Sequence, residues 1–171
     1  MPRNIEIKAR IDSVDTLASA LAAFAGQGPI RIDQDDTFFA CANGRLKLRE
    51  FAPDAGELIF YRRDDLAGPR ESFYLIAPTS APDTMREALT LAHGQVGRVR
   101  KRRTLFMVGR TRVHLDRVES LGEFLELEVM LEEGEPAEQG VAQAHALMAQ
   151  LGIVSANLVR GAYVDLLAAS R

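Results

Sequence analysis

An α+β fold built on an eight-stranded antiparallel β-barrel is the architecture this chain predicts, a tunnel with a charged lumen and helices flanking its outside. Three observations lead there. About eight segments alternate apolar and polar residues, the period-2 signature of strands with two unlike faces. Turn sequences join many of them directly, which makes their pairing antiparallel, and eight is a natural number for closure. The charges on the polar faces are sorted by sign from strand to strand.

The elements follow in order. Residues 4–10 form a first strand with Ile5, Ile7, Ala9 and Ile11 on one face and Asn4, Glu6, Lys8 and Arg10 on the other. Asp12-Ser13 caps a helix to about residue 25, whose stripe is Val14, Leu17, Leu21 and Phe24; Gly26, Gly28 and Pro29 end it. Strands are expected over 35–41, 45–51 and 57–63, joined by Asn43-Gly44 and by Pro53-Asp54-Ala55-Gly56. Residues 64–70 read as a loop and 72–77 as a fifth strand, and Pro82-Asp83 opens a second helix to about His93. Three more strands, over 96–108, 111–118 and 123–132, precede a helix over about 136–151 and a short closing helix over 163–168.

Bulk properties set bounds. The 171 residues make one domain, 1–171, long enough to bury a core without staples. A net charge of −3 argues against nucleic-acid binding by bulk electrostatics. The single cysteine, Cys41, excludes an intrachain disulfide framework and a Cys-cluster zinc site. With no signal peptide and no apolar run of membrane-spanning length, the expected location is cytoplasmic. The expected state is a monomer or homodimer.

The sorted charges point to chemistry. Arg45, Lys47 and Arg49 share one face of the third strand, Lys101 and Arg103 share one on the sixth, and Arg63 follows Tyr61 on the fourth. Arg112, His114 and Asp116 lie together, as do Glu126 and Glu128, against apolar partners such as Val113, Leu125 and Leu127. Any one such strand reads as a solvated face. As a set they conflict, because same-face neighbours stand roughly 6.5–7 Å apart and like charges repel. Inside a barrel the cations call for a polyanion, and the paired carboxylates with Glu6 call for a hard divalent cation. A triphosphate with Mg²⁺ or Mn²⁺ satisfies both. The run Arg98-Val99-Arg100-Lys101-Arg102-Arg103 does not make a nucleic-acid site on this reading, since its alternate residues Lys101 and Arg103 already serve the lumen and the net charge is negative, leaving Arg100 and Arg102 as solvated charges.

Asn4-Ile5-Glu6-Ile7-Lys8 resembles the N-terminal Glu-x-Glu-x-Lys strand of the CYTH family, the triphosphate tunnel metalloenzymes. The resemblance runs on through Asp36-Thr37-Phe38-Phe39, Gly44-Arg45-Leu46-Lys47-Leu48-Arg49-Glu50, Leu58-Ile59-Phe60-Tyr61-Arg62-Arg63-Asp64 and Ser72-Phe73-Tyr74. It continues in Lys101-Arg102-Arg103-Thr104-Leu105-Phe106, in the segment from His114 to Gly122, in Phe124-Leu125-Glu126-Leu127-Glu128 and in Gly161-Ala162-Tyr163-Val164-Asp165-Leu166-Leu167. It implies the eight-stranded tunnel and a triphosphate-containing small-molecule substrate; from the charge and the lack of a membrane-spanning run, no nucleic-acid or membrane partner is expected. By this similarity Glu6, Glu126 and Glu128 hold the metal, with Asp116 nearby. Lys8, Arg45, Lys47, Arg49, Arg63, Lys101 and Arg103 line the phosphate path, and Glu6, Lys8, Glu126 and Glu128 are the catalytic set. One departure stands out: Asn4 occupies the place of the motif's first Glu, which weakens a second metal site.

The resemblance implies triphosphatases and class IV adenylate cyclases alike. Terminal-phosphate hydrolysis needs fewer parts, since a cyclase must also seat adenine and no adenine pocket is legible in the sequence. Cyclisation of ATP is the alternative, and a non-catalytic polyphosphate or nucleotide sensor is a third reading, motivated by Asn4.

Overall fold

In the computed structural model, which describes residues 2–171, the N-terminal strand β1 (Arg3–Arg10) leads into helix α1 (Val14–Ala22). Four strands follow: β2 (Gln27–Phe39), β3 (Arg45–Ala52), β4 (Ala55–Arg63) and β5 (Arg70–Thr79). After helix α2 (Pro82–His93) come β6 (Gln95–Val108), β7 (Thr111–Val118) and β8 (Gly122–Met130), then helices α3 (Ala137–Gln150) and α4 (Tyr163–Ala169). The strands form a closed barrel in the order β1-β5-β4-β3-β2-β6-β7-β8, with β8 pairing back onto β1 and every pair antiparallel. Closure removes the free edges at which sheets aggregate. No helix among the described residues is long and apolar enough to cross a membrane.

Most elements fall within about two residues of where their sequence patterns place them; three boundary differences matter most for the tunnel. Helix α1 starts as expected, with the Ser13 hydroxyl accepting from the Thr16 amide, but stops at Ala22. The chain turns through Ala23–Ala25, and the Gly26 amide then donates to the Met107 carbonyl at 2.8 Å. Strand β2 therefore begins at Gln27 and not at 35. Its Gly28-Pro29 pair resembles a turn, yet the segment forms a ladder with β6, with a register shift between Gln27 and Ile30. Strand β3 joins β2 only over Asp35–Phe39, so the first half of β2 pairs with β6 alone. Strand β5 begins at Arg70, which puts Arg70, Ser72 and Tyr74 on one face.

The apolar faces point outward, under the helices. Ile7, Ala9, Val113, Leu115, Leu125 and Leu127 pack with Val14 and Leu21 of α1 and Leu147 and Met148 of α3. Ile5 and Val129 join Ala144 in an adjoining cluster. Each such Leu or Ile contributes on the order of 1.5–3 kcal/mol by leaving water. With that face committed to the helices, the alternate residues have only the lumen.

Strand direction defines the two ends of the tunnel. The C-terminal ends of β1, β3's neighbour β2, and β7 meet the N-terminal ends of β6 and β8 at one end, and there the C-terminal segment forms a floor. Tyr163 and Val164 cluster with Phe38, Val99, Val118 and Phe124. The Val159 amide donates to the Lys8 carbonyl at 2.9 Å, and Arg45 grips Asp165 through two bonds of 2.8 and 2.6 Å. Gly97 permits this docking, because a Cβ there would stand 2.3 Å from Val164 Cγ2. The opposite end, where Ile32, Ile76 and Leu105 lie, is the mouth.

Candidate active site

The lumen encloses a cavity of about 370 Å³ that receives side chains from all eight strands, with Ala162 and Tyr163 lining its floor end. Alternation delivers them: Asn4, Glu6 and Lys8 from β1, Lys47 and Arg49 from β3, Lys101 and Arg103 from β6, Glu126 and Glu128 from β8. The basic run on β6 divides by parity. Lys101 and Arg103 have side chains 3% and 5% exposed, whereas Arg100 and Arg102 are 55% and 84% exposed beside Asp35 and Asp33.

Two buried aspartates hold the cationic wall in place. Asp36, the cross-strand partner of Arg49, accepts two bonds from its guanidinium at 2.8 and 2.7 Å and a third from Lys47 Nζ at 3.0 Å, with Lys101 Nζ 3.8 Å away. Burial alone would raise its pKa, but Arg49, Lys47 and Lys101 hold it well below the usual carboxylate range. Asp116 receives Arg103 through two 2.7 Å bonds and the Tyr163 hydroxyl at 2.8 Å. Bidentate pairs of this kind fix a guanidinium plane as well as its charge.

The carboxylates occupy the facing wall. Glu126 lies directly across from Lys8 on β1 and His114 on β7, and Glu128 across from Glu6 and Arg112. Lys8 and Arg103 approach Glu126 to 3.6 and 3.5 Å, and Arg112 approaches Glu128 to 3.5 Å, all longer than a normal hydrogen bond. Burial would raise the Glu126 carboxyl, yet Lys8, Arg103 and Lys101 keep it well below its ordinary value. Glu128 is raised, by burial and by Glu6. Glu6 itself is engaged: Arg63 donates to it and Arg70 Nε stands 3.6 Å away. One oxygen or nitrogen from each of His114, Glu126 and Glu128 lies within 4.8 Å of the others, a spacing suited to gathering around one cation.

Burial also loosens the protons of the lysines. Lys8 is held down to about 8 by loss of solvent, which outweighs the attraction of Glu126. Lys101 and Lys47 are lowered by burial in the same way. Lys8 Nζ donates to the Gly161 carbonyl at 3.1 Å and sits 4.1 Å above the Tyr163 ring, with Lys101 Nζ at 4.8 Å from the same centroid. Below pH 8 Lys8 is charged in both folded and unfolded chains, so its desolvation cost is fully present. Between pH 8 and 10.5 the folded protein releases that proton while the unfolded chain keeps it, so stability rises with pH. Relative to a Lys8→Met variant, metal-free protein should gain on the order of 3 kcal/mol across that window by denaturant titration. Parallel curves for the two proteins would contradict it.

The sequence-expected residues thus occupy three settings. Glu6, Lys8, Lys47, Arg49, Arg63, Lys101, Arg103, Glu126 and Glu128 line the cavity. Arg45 does not; it clamps α4 through Asp165 at the floor. Asp116, wholly buried, lies behind Arg103 and outside the His114–Glu126–Glu128 group. Sequence reasoning missed Asp36, Arg70 and Arg112 as parts of the site. For Asp36 the signal is its register against Arg49, which needs the pairing. For Arg70 it is the parity it shares with Ser72 and Tyr74, hidden by starting the strand too late.

Comparison with known proteins shows the family and the fold. The CYTH domain model matches residues 2–163. Adenylate cyclase CyaB of Aeromonas hydrophila is 28% identical over 167 residues, spanning 93% of this chain and 85% of that protein. The fold is shared with the PH1012 protein of Pyrococcus horikoshii (TM-score 0.84, 22% identity, 95% of this chain and 98% of that one). It is shared also with a putative adenylyl cyclase from Hippeastrum, described as revealing a dominant triphosphatase activity (TM-score 0.61, 19% identity, 88% of each chain). Strand alternation brings Glu6 and Lys8, the cations of the third and sixth strands and the Glu126/Glu128 pair into one lumen, and by the match over residues 2–163 the chain belongs to the CYTH domain family.

Proposed function

We propose that this protein is a divalent-metal-dependent triphosphatase that removes the terminal phosphate of a triphosphate, inorganic or carried by thiamine or a nucleotide, inside its tunnel. The observation that carries this reading is a lumen floored at one end, with cations fixed by Asp36 and Asp116 on one wall and the Glu126 and Glu128 carboxylates, in ion pairs of 3.5 Å or longer, on the other. A chain entering by its terminal phosphate meets Lys8, Lys101 and Arg103 at the floor end. The organic part, where there is one, stays near Ile32, Ile76, Leu105 and Tyr74 at the mouth.

Phosphoryl transfer asks mainly for positioning and charge neutralisation. Lys47, Arg49, Lys101 and Arg103 are already oriented, so little reorganisation accompanies the reaction. A water held by Glu6, Glu126 or Glu128 attacks the terminal phosphorus and passes a proton to the carboxylate that holds it. The bond to the bridging oxygen breaks, its electron pair leaves with the diphosphate, and orthophosphate is released. Mg²⁺ or Mn²⁺ held at Glu126 and Glu128 would neutralise charge on the phosphoryl oxygens.

A second reading, cyclisation of ATP, is supported by the name of the Aeromonas relative and by the apolar mouth. Incubation with Mg²⁺ or Mn²⁺ and, separately, tripolyphosphate, thiamine triphosphate and ATP decides between them. Orthophosphate from one of these without cyclic AMP is the expected result. Cyclic AMP with pyrophosphate from ATP would overturn it, and tight metal-dependent binding without turnover would make the protein a sensor.

A further inference from the structure

Among the described residues His114 is the one imidazole lining the lumen. It is 5% exposed, on a strand paired on both sides, and its Nδ1 has no hydrogen-bond partner. Leaving a buried polar atom unpaired costs about 1–3 kcal/mol. A histidine serving the core would be expected to satisfy both nitrogens. Here Nδ1 faces Glu128 Oε1 at 3.7 Å, and Glu126 is its direct cross-strand neighbour.

The surrounding cations leave this space open. Arg112 approaches the other oxygen of Glu128, Oε2, while Lys8 and Arg103 take opposite oxygens of Glu126. One face of the group therefore remains for an ion, and its three donors lie within 4.8 Å of one another. Donors bonded at about 2.0–2.2 Å to a single cation stand roughly 3–4 Å apart, so a small inward movement of the two Glu side chains completes the site.

We infer that His114 Nδ1 is a metal ligand, joining Glu126 and Glu128 in a mixed nitrogen–oxygen site that selects a first-row transition cation over Mg²⁺. This rests on the tunnel's being a metal site, as proposed above, and adds the ligand and the class of ion. Imidazole is a borderline donor suited to transition ions, whereas Mg²⁺ prefers oxygen and keeps its water. The all-carboxylate set implied by the first strand and β8 would discriminate less, since carboxylates suit Mg²⁺ and Mn²⁺ alike.

The test is binding of single cations to the whole, metal-free protein, read without any triphosphate. Pulsed electron paramagnetic resonance of bound Mn²⁺ should show coupling to a directly bonded ¹⁴N, and Co²⁺ should bind at least about tenfold more tightly than Mg²⁺ by calorimetry. In His114→Phe the nitrogen coupling should disappear and Co²⁺ affinity fall at least about tenfold, with Mg²⁺ affinity little changed. The wild-type spectrum stands as evidence if the variant does not fold. Bound Mn²⁺ without nitrogen coupling would overturn the role of His114 and leave the triphosphatase reading intact. Absence of any divalent binding would overturn both.

Discussion

Glu126→Gln is expected to lose metal-dependent turnover by on the order of 10³-fold while still binding tripolyphosphate. The substitution keeps the side chain's shape and removes its charge at the point where Lys8, Arg103 and His114 converge. A metal ion stabilises a phosphoryl-transfer transition state by several kcal/mol, and each 1.4 kcal/mol is a factor of ten. On the proposed function the substrate's ground-state contacts would lie largely on the cationic wall, which Asp36 and Asp116 hold through their own bonds to Arg49 and Arg103. The loss should therefore appear in kcat, with KM little changed. Steady-state rates in Mg²⁺ and Mn²⁺ check it. A rise in KM with kcat intact would move Glu126 from the chemistry to binding.

The largest effect on stability is expected at Asp116. Its carboxylate is wholly buried, bonds Arg103 twice and accepts the Tyr163 hydroxyl. Asp116→Asn leaves the Arg103 guanidinium, 5% exposed, without its closest counter-charge. Breaking a buried pair on one side costs about 3–5 kcal/mol, or on the order of 10 °C in Tm for a chain of this size. Metal affinity should change little, because Asp116 stands apart from His114, Glu126 and Glu128. The double variant with Arg103→Met should regain much of the loss, since the stranded charge is then gone. A loss of metal affinity with stability unchanged would return Asp116 to the ligand set suggested by sequence similarity.

Much of this site was legible because a strand's period of two is rigid. Once Leu125, Leu127 and Val129 face the helices, Glu126 and Glu128 face the lumen, and the same logic separates Lys101 and Arg103 from Arg100 and Arg102. What the pattern cannot carry is register. That Asp36 meets Arg49, or that Asp116 meets Arg103, follows from strand pairing across gaps of 13 residues, and parity alone assigns no partner. Parity put Asp116 on the face of His114 and Arg112, but it could not show that the floor end places it under Tyr163. Strand ends were the other weakness. Gly28-Pro29 hid the first half of β2, and a late start for β5 hid Arg70 behind Glu6.

The proposed function requires a triphosphate to lie inside the barrel between its cationic and acidic walls. The most direct measurement is a crystal structure of the protein grown with tripolyphosphate and Mn²⁺. The anion is expected in the lumen, contacting Lys47, Arg49, Lys101 and Arg103, with the metal at Glu126 and Glu128. A lumen empty of anion, with tripolyphosphate bound instead along the exposed Arg98, Arg100 and Arg102 of β6, would contradict the account.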